Sequence, residues 1–220
     1  MKFPFIQKIL LTVVPVLALA LAPMAVPAAT AAGDKPVILV VGDSLSAGYG
    51  IPVASGWVAL LQRRLDAQGY GYRVVNASVS GETTGGALER LPRALKLHRP
   101  AVVVIVLGGN DGLRGLPVAE VRHNLEALVR QSSTAGARVL LAGIRIPTNY
   151  GAEYSEKFYA TYGDLAKKHK VALVPFFLEP IALREDLFQA DGIHPGVTAQ
   201  PLLLDHVWPA LKKLLTRRVP

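Results

Sequence analysis

Ser44 ends the triplet Gly42-Asp43-Ser44, directly after the apolar run Val37-Ile38-Leu39-Val40-Val41. A serine hydroxyl is a poor nucleophile unless a base takes its proton. The stretch Asp191-Gly192-Ile193-His194-Pro195 offers both a base and its orienter. An aspartate three residues before a histidine reaches the imidazole Nδ1 across one turn, fixes the tautomer and leaves Nε2 free to accept a hydroxyl proton. Gly192 permits the tight backbone path, and Pro195 favours an extended His194. Serine attack on a carbonyl also needs donors for the oxyanion that forms. The backbone N–H groups of Ser44 and Gly81 and the side-chain amide of Asn110 are the candidates, the glycine because close backbone approach needs no side chain. Each feature alone has a plainer reading: Ser44 and Gly81 as turn residues, Asn110 as a loop cap, Asp191 and His194 as an ordinary loop pair. The other histidines have weaker settings, His98 and His169 at helix ends, His123 and His206 inside helical patterns.

Positioning these groups requires a frame. Short apolar runs rich in β-branched residues predict strands at 37–41, 73–76, 101–107, 138–144 and 171–175. Amphipathic helical patterns separate them, at 55–68 with Ser55 as cap and Gly69 as stop, and at 84–97, 117–134, 153–169 and 198–215. Apolar strands alternating with helices indicate a parallel sheet covered on both faces, here a three-layer, doubly wound α/β/α fold with a five-stranded parallel sheet. Ligands in such folds sit at the carboxyl ends of the strands. The loops after the first three strands carry Ser44, Gly81 and Asn110, and they converge on one rim if those strands are adjacent.

Lys2 and Lys8 bracket a short basic start, and residues 9–32 then carry no charge, are broken by Pro15, Pro23 and Pro27, and close in small residues. That pattern is a cleaved secretory signal, taken as residues 1–31 with cleavage within 29–32, which leaves 32–220 as a single domain in the periplasm or secreted. The alternative is a retained membrane anchor, because 24 uncharged residues can span a bilayer of roughly 30 Å. There is no cysteine, hence no disulfide and no lipid-modified cysteine. Losing Lys2 and Lys8 takes two charges from the formal +8 and leaves +6, scattered rather than clustered with aromatics. Nucleic acid is therefore not an expected partner. Weak, transient attraction to an anionic membrane surface is the most this charge suggests, and nothing demands more than a monomer.

Together the four blocks Gly42-Asp43-Ser44-Leu45-Ser46, Gly81, Gly108-Gly109-Asn110-Asp111 and Asp191-Gly192-Ile193-His194-Pro195 resemble the SGNH (GDSL) hydrolase family, in order and in strand context. Residues 42–50, 76–81, 108–115 and 144–150 look like its bacterial periplasmic branch of multifunctional thioesterases, proteases and lysophospholipases, with related arylesterases. The resemblance implies a flavodoxin-like strand order 2-1-3-4-5, Ser44 as nucleophile, His194 as base and then acid, and Asp191 as its orienter. It implies Ser44, Gly81 and Asn110 as the oxyanion hole, and no metal or organic cofactor. The Gly-x-Ser-x-Gly elbow of α/β-hydrolases is absent around Ser44. Asp43 and Asp111 are expected to hold loops by hydrogen bonds rather than to move protons.

The implied substrates are small esters, thioesters and lysophospholipids, cleaved through an acyl-serine. Apolar residues at the rim would receive the acyl chain: Leu45, Leu113, Ile146, Pro147, Tyr150 and Ile193, with Leu116 and Phe177 nearby and Phe177 equally readable as core. Segments 113–117 and 146–150 are the expected movable walls. A carbohydrate O-acetyl esterase of the same fold is the alternative within the class. A non-catalytic nucleotide-binding module is the alternative outside it, but neither Gly-x-Gly-x-x-Gly nor a Walker sequence occurs, and that reading leaves Asp191 and His194 without a purpose.

Overall fold

Val37–Gly42 is buried along its whole length, as a strand apolar on both sides must be. In the computed structural model, which describes residues 35–217, it forms β1 inside a five-stranded parallel sheet of order β2-β1-β3-β4-β5. The expected signal segment lies outside the described residues. The other strands are β2 (Arg73–Asn76), β3 (Val102–Val106), β4 (Arg138–Ala142) and β5 (Ala172–Val174). Fully apolar β1 and β3 take interior places, whereas β2, with Arg73 and Asn76 exposed, takes an edge. The order is the 2-1-3-4-5 expected for the fold class. Register sets Gly42 opposite Val106 and Val106 opposite Ala142, so β1, β3 and β4 release the chain at the same end of the sheet.

One-turn helices α1 (Ser44–Ala47) and α4 (Gly109–Leu113) follow β1 and β3 where the sequence predicts loops. The long helices are α2 (Trp57–Ala67), α3 (Thr84–His98), α5 (Val118–Thr134), α6 (Ala152–His169) and α7 (Gln200–Lys212). Helices α3, α5 and α6 pack side by side, and α2 packs with α7, giving the two outer layers. Each turns a stripe inward: α5 buries Val121, Leu125, Leu128 and Val129, spaced three and four apart. Fully buried Trp57 and Phe177, ring centroids 5.7 Å apart, and Phe158 with Tyr162, 5.8 Å apart, fill the core.

The helix starts differ from the sequence reading in two places. Ser55 does not cap α2; it sits in a 3-10 turn, and α2 begins two residues later behind Gly56. The orphan N–H of Trp57 donates instead to Gln200 Oε1 at 3.0 Å, 143 residues away. Thr198 does not begin the last helix either, because Val197–Ala199 forms a 3-10 turn ahead of α7.

Candidate active site

At the end of β1 the chain must turn sharply without losing its hydrogen bonds. Asp43 achieves this as the cap of α1: its Oδ1 accepts the Leu45 N–H at 3.0 Å, and its carbonyl accepts from Ser46 and Ala47. A Cβ at Gly42 would stand 2.8 Å from Ser46 Oγ and 3.0 Å from Ser78 Oγ, so the tight approach needs glycine there. Ser44 is thereby the first residue of α1, its N–H without an acceptor in its own helix.

His194 arrives from the other end of the chain. Its Nε2 stands 2.9 Å from Ser44 Oγ, and its Nδ1 stands 2.7 Å from Asp191 Oδ2. The other aspartate oxygen accepts the backbone N–H groups of Ile193 and His194, both at 2.9 Å. Those bonds, the backbone one from His194 foremost, hold the Asp191 carboxyl down at about 2. Three contacts fix the loop: Gln189 N–H donates to the His194 carbonyl at 2.8 Å, Phe188 pairs with Pro195, and the Tyr49 ring lies 4.5 Å from the imidazole, tilted by 41°. Gln200 adds a fourth, its Nε2 donating to the Gly196 carbonyl at 3.2 Å, so the residue that caps α2 also ties down the histidine loop.

Among the described residues, the N–H groups of Ser44 and Gly81 donate to no protein acceptor. Gly81 has φ +78°, open to glycine, in the loop that Val79 anchors by donating to the Gly42 carbonyl at 3.0 Å. Asn110, carried by α4, donates one N–H to the Glu82 carbonyl at 2.9 Å; its nitrogen is 3.5 Å from Asp43 Oδ2, the outer limit for a hydrogen bond. Asp43 is itself buried, and burial pushes its pKa up to about 7 against the opposing pull of the Leu45 N–H and of His194. Asp111 docks the start of α3, accepting the Thr84 N–H at 3.0 Å and its hydroxyl at 2.5 Å.

Ser44, Asn110 and His194 open onto a cavity of about 450 Å³. Of the apolar residues expected at the rim, Leu45, Leu113, Ile146, Pro147 and Ile193 line it. Tyr150 does not: its hydroxyl donates to the Leu113 carbonyl at 2.9 Å and straps one rim loop to the other. Phe177 is wholly in the core, and Leu116 packs against the core edge. Sequence reasoning missed Arg145, Phe176, Leu178, Ala182 and Phe188, which also line the cavity. The strand-end rule, applied to β5 as well, points to Phe176 and Leu178; irregular segment 182–188 carries no comparable signal. Among the described residues no three histidine, aspartate or glutamate side chains gather as a metal site.

A serine, histidine and aspartate in line at the carboxyl end of a doubly wound parallel sheet define a serine hydrolase frame. The family model described as GDSL-like lipase/acylhydrolase matches residues 40–200, and the chain belongs to that family of acyl hydrolases. It is 55% identical over 178 residues to esterase TesA of Pseudomonas aeruginosa, covering 81% of this chain and 89% of that one. It is 44% identical to an arylesterase of Vibrio mimicus (86% and 93% covered) and 43% identical to thioesterase 1/protease 1/lysophospholipase L1 of Escherichia coli K12 (81% and 84%). A crystal structure of TesA superposes with TM-score 0.79 at 55% identity, covering 81% of this chain and 99% of that one.

Proposed function

We propose that the chain hydrolyses carboxylic esters and thioesters through an acyl-Ser44 intermediate, with lysophospholipids, acyl-CoA-like thioesters and aryl esters as its substrate classes. The observation that carries this reading is the unbroken relay from Asp191 through His194 to Ser44, with contacts of 2.7 and 2.9 Å, at the wall of an apolar cavity. Ser44 Oγ attacks the carbonyl carbon while its proton passes to His194 Nε2, and Asp191 stabilises the imidazolium that results. The N–H groups of Ser44 and Gly81 and the second N–H of Asn110 receive the oxyanion. Collapse of the intermediate expels the thiol or the alcohol, each leaving with the proton that His194 returns, so that the imidazole is again neutral. Water then attacks the acyl-enzyme by the same route and frees Ser44 and the carboxylic acid.

The apolar lining suits an acyl chain, and relatives named as esterase, arylesterase and thioesterase/lysophospholipase support the same substrate range. Residues 1–31 act in this reading as a cleaved signal, so the enzyme works outside the cytoplasm, where lysophospholipid is a more accessible substrate than acyl-CoA, and the site needs no second copy of the chain. The test is hydrolysis of p-nitrophenyl esters of graded chain length by protein recovered after export, its intact mass giving the cleavage point. Ser44→Ala is expected to lose about 10⁴-fold or more in kcat. Full activity in that variant would overturn the mechanism.

A further inference from the structure

Arg145 differs from the other groups around the cavity. It leaves the end of β4 with Ile144 and Ile146 and lines the same cavity as Ser44, where the neighbours it adds to are apolar. Its guanidinium carbon lies 3.9 Å from the centre of the Tyr159 ring and 5.8 Å from that of Phe176. Stacking occupies the face of a guanidinium and leaves its in-plane N–H donors free. Elsewhere on the molecule Arg64, Arg90, Arg122 and Arg184 each hold a carboxylate, and Arg114 and Arg138 each donate to an oxygen. Arg145, exposed like the likewise unpaired Arg73, Arg93, Arg99 and Arg130, has neither kind of contact among the described residues, and differs from them in lining the cavity of Ser44 against two rings. The result is a cation set against two rings at the wall of a cavity that is otherwise mostly apolar away from Asp43, Ser44, Asn110 and His194.

We propose that Arg145 is the anchor of a phosphate-binding subsite, so that the enzyme selects substrates pairing a single acyl chain with a phosphate on the leaving group. An arginine fork matches phosphate oxygens in pairs, which a stacked, pre-oriented guanidinium does at little further ordering cost. A phosphodiester headgroup and the phosphates of a nucleotide thiol share this chemistry. The inference rests on the acyl-Ser44 reading above and adds to it a determinant of substrate choice. Arg145 touches neither Ser44 nor His194, so its action falls on binding rather than on the chemical step.

The experiment compares wild type, Arg145→Gln and Arg145→Lys on three substrates with one acyl chain, below their aggregation concentrations: p-nitrophenyl dodecanoate, 1-dodecanoyl lysophosphatidylcholine and dodecanoyl-CoA. Loss of a charge-assisted contact predicts that Arg145→Gln raises KM about tenfold or more on a phosphate-bearing substrate, with kcat little changed. The aryl ester carries no phosphate, so its kcat/KM should fall by clearly less than that of a phosphate-bearing substrate. Added salt should depress wild-type kcat/KM on the phosphate-bearing substrates and have less effect on Arg145→Gln. Arg145→Lys should fall between the two, keeping charge without the fork. An effect on lysophosphatidylcholine alone assigns the subsite to a headgroup, an effect on the CoA ester alone to a nucleotide, and either supports the proposal. Equal losses on all three substrates, or unchanged KM on both phosphate-bearing ones, overturn it. Wild type that cleaves only the aryl ester also overturns it while leaving the hydrolase reading intact; wild type that cleaves none overturns both.

Discussion

Replacing Asp43 by asparagine removes a buried charge and keeps the cap that the side chain provides. Asp43 is only 1% exposed, and its pKa is raised from 3.8 to about 7, chiefly by burial, with Asp111 adding to the rise and the Leu45 N–H and His194 opposing it. The folded protein therefore keeps, between about pH 4 and 7, a proton that the unfolded chain has released. The stability this group contributes is complete below about pH 4 and is lost as the pH rises through about 7. A displacement of that size corresponds to about 4 kcal/mol once the carboxylate is forced to ionise inside the fold. Asparagine caps a helix as well as aspartate does, and its Oδ1 can take over the Leu45 N–H held at 3.0 Å. Asp43→Asn is thus expected to lie within about 1 kcal/mol of wild type near pH 4.5 and to exceed it by about 2–4 kcal/mol at pH 8.5. Urea unfolding followed by tryptophan fluorescence across that range measures the difference directly. Asp191, held at about 2, gives up its own contribution only as the pH falls below about 4, outside this window. A difference that does not change with pH, or an asparagine variant less stable at pH 8.5, would refute the reasoning from burial.

Two further outcomes follow from the hydrogen bonds of the histidine loop. Asp191→Asn can keep the backbone bonds to Ile193 and His194 but removes the charge facing Nδ1, and is expected to lower kcat on p-nitrophenyl esters by about 10³- to 10⁴-fold with KM little changed. Gln200→Ala leaves the buried N–H of Trp57 without its acceptor and frees the Gly196 carbonyl, and should cost about 1–3 kcal/mol in urea unfolding. Unchanged stability in that variant would mean that solvent replaces both bonds.

Fold class was legible because it rests on local periodicity, whereas the strand order came from the family resemblance and not from any one segment. Short runs rich in β-branched residues, such as Val102–Val106, read as buried strands, and the stripes of α5 and α6 mark the faces turned to the core. Boundaries were less legible where a distant residue decides them: Ser55 has the right chemistry for a cap, but Gln200 holds the start of α2 instead. The one-turn helices after β1 and β3 were hidden because four or five residues carry no period. Around the cavity, the residues named in advance followed the first, third and fourth strands or stood at Ile193 and His194. Phe176 and Leu178 follow the fifth strand, and Phe188 belongs to an irregular segment whose direction no pattern reveals.

By itself, the sequence determined that a serine ends a buried strand, that an aspartate precedes a histidine at the spacing of one turn, and that glycines and an asparagine mark the neighbouring strand ends. These are properties of residue type and near spacing, which short-range sterics and hydrophobic period translate into structure. Only the tertiary structure decided that His194 meets Ser44 at 2.9 Å across 150 residues, since that distance depends on how β1, β5 and α7 pack. It alone decided that Asp43 is buried beside the nucleophile and that Arg145 is set against two rings with no ionic partner among the described residues. Burial and pairing of a charged side chain are set by what the rest of the chain brings around it, and no local pattern encodes that.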